Sequence, residues 1–324
     1  MEIEADDDLR IINMEDVAAV EVDWLWYPYI PYGKITIVQG DPGEGKTTFA
    51  LQLASILSKG ETLPCVGEET HLASPINIIY QSAEDGLNDT IKPRLVEANA
   101  DCTKIKVIDE SKYPLSMIDG RLETAIQETG ARLVVLDPIQ AYLGENIDMH
   151  RANEIRPILK RLGEMADEYK CAIVLIGHMN KSKGAKSTYR GLGSIDFQAA
   201  ARSVLIVGRI KDKPHIRVIA HGKSSLAPEG KSIAFELGEE NGFTWLGQYE
   251  ISVDDLLSGG KSENKLKMAE KLISDMLANG DVEQKIILAK AISLGISKRV
   301  LDQAKKNLSV KSKKSGDCWY WRFA

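Results

Sequence analysis

The sequence predicts an α/β protein with a mostly parallel sheet, followed by a small domain of three helices and a hairpin. Three observations carry that expectation. Short, wholly apolar runs alternate with stretches of helical spacing, the pattern of strands buried on both faces between crossover helices. A glycine-rich loop sits between the first such strand and the first such helix. Beyond residue 261 the chain becomes lysine-rich and changes its periodicity.

Taken in order, residues 1–30 read as an irregular lead-in that holds Trp24, Trp26, Tyr27 and Tyr29, aromatics suited to clamping the main domain or a neighbouring subunit. The main domain is expected over 31–257, with strands at 35–39, 76–80, 104–108, 133–136 and 172–176. Helices are expected at 47–58, about 119–129 and 152–169. Two further runs, 203–207 and 216–219, lie close together like the edge hairpin of a mixed sheet. Ser258-Gly-Gly-Lys261 reads as a linker, and 262–324 as the second domain.

Composition narrows the class. Of 324 residues, 44% are hydrophobic and 27% charged, which excludes disordered, collagenous and fibrous chains. The longest apolar stretch, Cys171 to Gly177, is far short of the roughly 20 residues a bilayer needs, so no membrane partner is expected. The acidic first residues match neither a signal peptide nor a basic transit peptide. Cys65, Cys102, Cys171 and Cys318 stand far apart with no CxxC, which points to reduced thiols in a cytoplasm. The net charge of -6 conceals an asymmetry. Residues 261–324 carry 14 Lys/Arg against 7 Asp/Glu, leaving the rest of the chain strongly acidic. Basic modules of this kind often meet nucleic acid.

The clearest motif is Gly40-Asp41-Pro42-Gly43-Glu44-Gly45-Lys46-Thr47, with Thr48 following it into the helix. It matches G-x-x-x-x-G-K-[ST] in the strand–loop–helix context that the chemistry requires. Glycines let backbone N–H groups wrap phosphates, and the helix N-terminus adds positive potential. Lys46 is placed for the β/γ-phosphates of ATP and the Thr47 hydroxyl for Mg2+. Asp137 ends the apolar run 133–136, the pattern that holds Mg2+ through water. Pro138 occupies the next position, where many ATPases carry a glutamate. The attacking water therefore needs another base. Glu84, in Tyr80-Gln-Ser-Ala-Glu84-Asp85, stands at the carboxyl end of a strand, where ligands of open α/β sheets bind, and Asp85 is the rival.

As a set, the loop, the Ala-Glu-Asp after the next strand, the Leu-Asp at 136–137 and Gly177-His178 resemble the RecA-like hexameric helicases. The likeness is greatest to the RepA-type replicative helicases of plasmids and covers roughly residues 30–225. It implies that Glu84 is the general base and that His178 senses the γ-phosphate. It also implies that Arg202 is a finger acting on a neighbour's nucleotide, with Lys223 a second basic group presented the same way. The stretch between His178 and Ser194 carries Lys181, Lys183, Lys186 and Arg190 among three glycines. In RecA-like rings the equivalent region faces a central DNA channel, where cations neutralise single-strand phosphates.

The tail shows helical spacing over 262–279 and 281–294. Ser297 is a good N-cap for a third helix, 298–308, and a hairpin over 310–321 turns at Ser315-Gly-Asp317. This is the winged helix-turn-helix plan, and it resembles the C-terminal module of many phage and mobile-element ATPases. Lys298, Arg299, Lys305 and Lys306 on the third helix, and Lys311, Lys313 and Lys314 on the wing, are suited to duplex phosphates.

The functional expectation is a DNA-dependent ATPase forming a hexameric ring. Such a ring would serve as the replicative helicase or translocase of a plasmid, phage or integrated element, with an initiator or primase as partner. The alternative is an ATP-switched DNA-binding regulator or loader without unwinding activity.

Overall fold

The computed structural model describes residues 11–64, 74–144, 147–179, 195–238, 242–258, 262–278, 280–316 and 318–323. The chain opens with a small hairpin, β1 (Trp24–Trp26) and β2 (Ile30–Pro31), and then enters β3 (Ile35–Gly40) and helix α1 (Lys46–Lys59). Next come β4 (Asn77–Ser82), α2 (Lys92–Glu97), the short β5 (Ile105–Lys106), α3 (Gly120–Thr129) and β6 (Ala131–Asp137). Helix α4 (Ala152–Glu168), β7 (Ala172–His178) and α5 (Ile195–Ala200) lead into β8 (Ser203–Ile210) and β9 (Lys213–Ser224). The body closes with β10 (Ile233–Gly238), β11 (Gly242–Gln248) and α6 (Val253–Ser258).

These strands form one sheet in the order β11-β10-β9-β8-β3-β7-β6-β4-β5. From β8 to β5 every pairing is parallel, and β9, β10 and β11 add antiparallel strands at one edge. The strand that enters the phosphate loop lies between β7 and β8, and the strand ending in Asp137 lies one further out. This is the α/β fold with a mostly parallel sheet that the sequence predicts. One apolar face, with Val38, Ile78, Tyr80 and Val135, packs on Phe49, Leu53 and Leu57 of α1. The other, with Ile37, Ile79, Val134 and Leu175, packs on Leu122 and Ile126 of α3 and Leu159 and Leu162 of α4. Successive strand residues thus feed opposite layers, which is why the runs read as continuously apolar.

Three differences from the sequence reading have physical causes. The irregular lead-in ends at residue 23, because Trp26 and Tyr29 are core side chains. Trp26 packs on Phe49 and Trp245 and donates its indole N–H to Pro64 O, while the Tyr29 hydroxyl donates to Lys231 O. The strand expected at 104–108 shrinks to two residues, since it is the sheet edge and Ile108 N donates to the Gln81 side chain instead. The sheet also continues past residue 225 into β10 and β11, whose Phe235, Phe243 and Trp245 stack around Phe49.

The tail comprises α7 (Ser262–Leu277), β12 (Val282–Glu283), α8 (Gln284–Ser293), α9 (Lys298–Asn307) and the hairpin β13 (Lys311–Ser315) and β14 (Cys318–Arg322). β14 pairs with both β12 and β13. Ala269, Ile273, Ile287, Leu301, Ala304 and Trp321 make its separate core. The Ser297 hydroxyl caps α9 by accepting from Val300 N at 3.4 Å. Of the expected linker, only Ser258 is described, as the end of α6, and 259–261 lie outside the described residues.

One buried imidazole ties β8, β9 and the following loop together. Gly230 N donates to His221 Nδ1 at 2.9 Å, so Nε2 carries the proton and donates to Ser203 Oγ at 3.1 Å. Burial pushes the His221 pKa down to about 4 from its ordinary 6.5. The unfolded chain therefore takes up this proton first, and the contribution to stability is complete above pH ~6.5 and lost as pH falls towards ~4. Denaturant unfolding should show the native chain losing about 2–3 kcal/mol more than His221→Gln between about pH 7 and about pH 4.5. Equal losses in the two proteins would contradict a neutral, buried His221.

Candidate nucleotide site

The site forms because four parallel strands end at one edge of the sheet. Gly40 lies in register with His178, and Ser82 with Asp137, so β3, β7, β4 and β6 deliver their last residues together. The glycines of the loop have steric reasons. A Cβ on Gly40 would stand 2.2 Å from Val207 O, so the loop can leave the sheet here only without a side chain. Gly45, at φ +90°, is in the left-handed region and lies against Leu237 and Phe235 of β10. From there α1 starts with its free N–H groups facing the loop.

Lys46 is almost fully buried, and burial lowers its pKa against the pull of the Asp137, Glu44, Asp41 and Glu84 carboxylates. Its ammonium donates to Gly40 O at 3.0 Å and Asp41 O at 2.9 Å and lies 3.3 Å from His178 Nδ1. An ammonium can only donate, so Nδ1 accepts and the His178 proton sits on Nε2, which faces Glu84 Oε1 at 3.9 Å. The loop thus holds a desolvated cation with three neutral acceptors. Phosphate oxygens would replace them with charged ones, a stronger pairing.

Asp137 is 7% exposed. Its Oδ2 accepts from the Thr47 hydroxyl at 2.7 Å and from the Tyr80 hydroxyl at 3.0 Å. Burial raises its pKa, opposed by those two hydrogen bonds and by Lys46. A hydroxyl and a carboxylate side by side at the start of α1 are the hard oxygen donors that Mg2+ takes beside nucleotide phosphates. The donor set therefore fits Mg2+–ATP. Thr48 follows Thr47 in the first turn of α1.

The two candidate bases differ in their surroundings. Asp85 pairs with Arg94 at 3.2 Å. Glu84 is 66% exposed and faces His178. Arg202 and Lys223 come together, but at the other end of the strands. Arg202 N donates to Ile35 O, at the start of β3, while Gly40 ends that strand roughly 17 Å away. Lys223 donates to the carbonyls of Gln198, Ala199 and Ala201 at the end of α5, and burial, then Arg202, lowers its pKa. Lys181, Lys183, Lys186 and Arg190 lie outside the described residues. In the tail, Lys298, Arg299, Lys306, Lys311, Lys313 and Lys314 are exposed. Lys305 differs, because its ammonium lies 4.4 Å from the Trp321 ring centroid and donates to Ser312 Oγ.

Sequence reasoning missed three contributors. Tyr80 bonds Asp137 across strands. Arg209 of β8 donates to Glu44 at 2.9 Å and to Gly43 O at 3.2 Å, tying the loop to the sheet. Leu237 backs Gly45. Tyr80 stands out in the sequence as a polar residue in an apolar run, but its partner does not. The others depend on pairings more than 150 residues apart in sequence.

The sequence model of the AAA domain family (AAA_25) matches residues 8–184, more than half of the chain. The chain belongs to the AAA domain family. Among curated proteins it is similar to the DNA repair protein RadA of Bacillus subtilis strain 168, 26% identical over 152 residues, 46% of this chain and 28% of that protein. It is similar also to the DNA repair protein RadA of Helicobacter pylori strain J99, 28% identical over 155 residues, 47% of this chain and 30% of that protein. The chain thus spans under a third of the length of these relatives. Among solved structures, the ATPase domain of G40P overlaps 67% of this chain and 85% of its own, with a TM-score of 0.49 and 15% identity. Among the described residues, no helix is long and apolar enough to cross a membrane.

Proposed function

We propose that this member of the AAA domain family is a DNA-dependent ATPase that works as a ring, serving as a replicative helicase or translocase of a plasmid, phage or integrated element. The observation that carries the reading is the separation of charged groups on the RecA-like sheet. Lys46, Thr47, Asp137, Glu84 and His178 gather at one end of the strands, while Arg202 and Lys223 gather at the other. Cations on that far end can serve a nucleotide only on a neighbouring subunit. The exposed lysines of the tail and the similarity to proteins named for DNA repair support DNA as the partner. The finer likeness to RepA-type helicases, the hexameric ring, the winged-helix reading of the tail, and an initiator or primase partner belong to this proposal.

In the proposed reaction Lys46 exchanges its carbonyl partners for β/γ-phosphate oxygens. Thr47 and Asp137 would hold Mg2+, which when bound would neutralise charge on the phosphates. Glu84 orients the attacking water and accepts its proton. His178 joins the two halves, since one nitrogen contacts Lys46 and the other faces Glu84. Arg202 of a neighbouring subunit stabilises charge on the transferring group.

Two outcomes are expected in ATP hydrolysis assays. Glu84→Gln should bind ATP yet lose turnover by at least about 100-fold, while Asp85→Asn, relieved only of its Arg94 partner, stays within a few fold of the native rate. The reverse pattern would make Asp85 the base. Single-stranded DNA should stimulate hydrolysis, and neutralising Lys181, Lys183, Lys186 and Arg190 should remove the stimulation. Deleting residues 262–324 should spare it but weaken duplex binding, with steep salt dependence. Hydrolysis indifferent to DNA would contradict the proposal. DNA-stimulated hydrolysis without strand displacement on a forked duplex would instead fit the ATP-switched regulator or loader.

A further inference from the structure

Tyr80 is fully buried on the apolar face of the sheet, in the cluster that includes Ile78, Phe49 and Val135. A phenylalanine would fill that space equally well. A hydroxyl in such surroundings costs free energy unless it is paired, and its partner here is Asp137 Oδ2 at 3.0 Å. The same oxygen accepts from Thr47 at 2.7 Å, so neither hydroxyl occupies Oδ1. Two donors from different elements, β4 and α1, fix the plane of one carboxylate.

We propose that Tyr80 is a positioning residue for the metal: its hydroxyl locks the Asp137 carboxylate in the orientation that serves Mg2+ beside a bound nucleotide. The proposal rests on the reading of Thr47 and Asp137 as the Mg2+ end of the site. Tyr80 itself touches neither nucleotide nor metal. It acts through Asp137, and its loss should therefore be felt in metal-dependent binding and not in nucleotide binding as such.

Tyr80→Phe keeps the ring and removes only the hydroxyl. The experiment titrates a fluorescent ADP analogue into native protein and Tyr80→Phe, once with excess Mg2+ and once with EDTA. The native chain should bind more tightly with Mg2+. In Tyr80→Phe the Mg2+-dependent gain should shrink about tenfold while the affinity in EDTA stays the same, which also shows that the variant is folded. In an Asp137→Asn background the Tyr80 effect should vanish, because the two residues act as a unit. An unchanged gain in Tyr80→Phe, or a Tyr80 effect that persists in full in Asp137→Asn, overturns the proposal. If the native chain binds the analogue in neither condition, the nucleotide-site reading falls, and this proposal falls with it.

Discussion

Burial of one cation and one carboxylate at the same edge of the sheet is the constraint on which the rest depends. Lys46 and Asp137 are each held away from water, and each is tolerated only because neighbouring groups supply hydrogen bonds. The parallel register of β3, β7, β6 and β4 makes this feasible, since it brings Gly40, His178, Asp137 and Ser82 to one edge. The loop itself is braced from the antiparallel side, where Arg209 grips Glu44 and Leu237 backs Gly45. Through Leu237 and Phe235, β10 thus backs the phosphate loop as well as filling the core.

Local pattern made much of this fold legible. The strands with continuous apolar runs were readable because both faces are covered, and α1 because its loop and its periodicity agree. What escaped is non-local or short. β11 alternates exposed and half-buried residues, and its ladder with β10 carries a register shift, so its apolar signal is diluted. The hairpin of Trp24–Trp26 and Ile30–Pro31 is too brief for any period to show. The Tyr80–Asp137 bond follows from the register of β4 against β6, which spacing along the chain does not encode.

Residue type also overstated one surface. Lys305 counts as a cation in the sequence, yet its ammonium lies over the Trp321 ring and donates to Ser312 Oγ. Long basic side chains cover apolar surface as readily as they meet phosphates. The cations of α9 that stay exposed are Lys298, Arg299 and Lys306, and those of β13 are Lys311, Lys313 and Lys314.

The placement of Arg202 gives the account its sharpest consequence. Its backbone is tied to the start of β3, at the far end of the strand that carries the phosphate loop. The most direct measurement mixes Arg202→Ala with Lys46→Ala, each inactive alone, and follows ATP hydrolysis as the ratio changes. A shared site between neighbours predicts that activity returns in mixtures, greatest at intermediate ratios, because some interfaces then pair an intact phosphate loop with an intact arginine. Mixed assemblies shown to form but without any hydrolysis at every ratio would contradict it and return Arg202 to a structural role within its own chain.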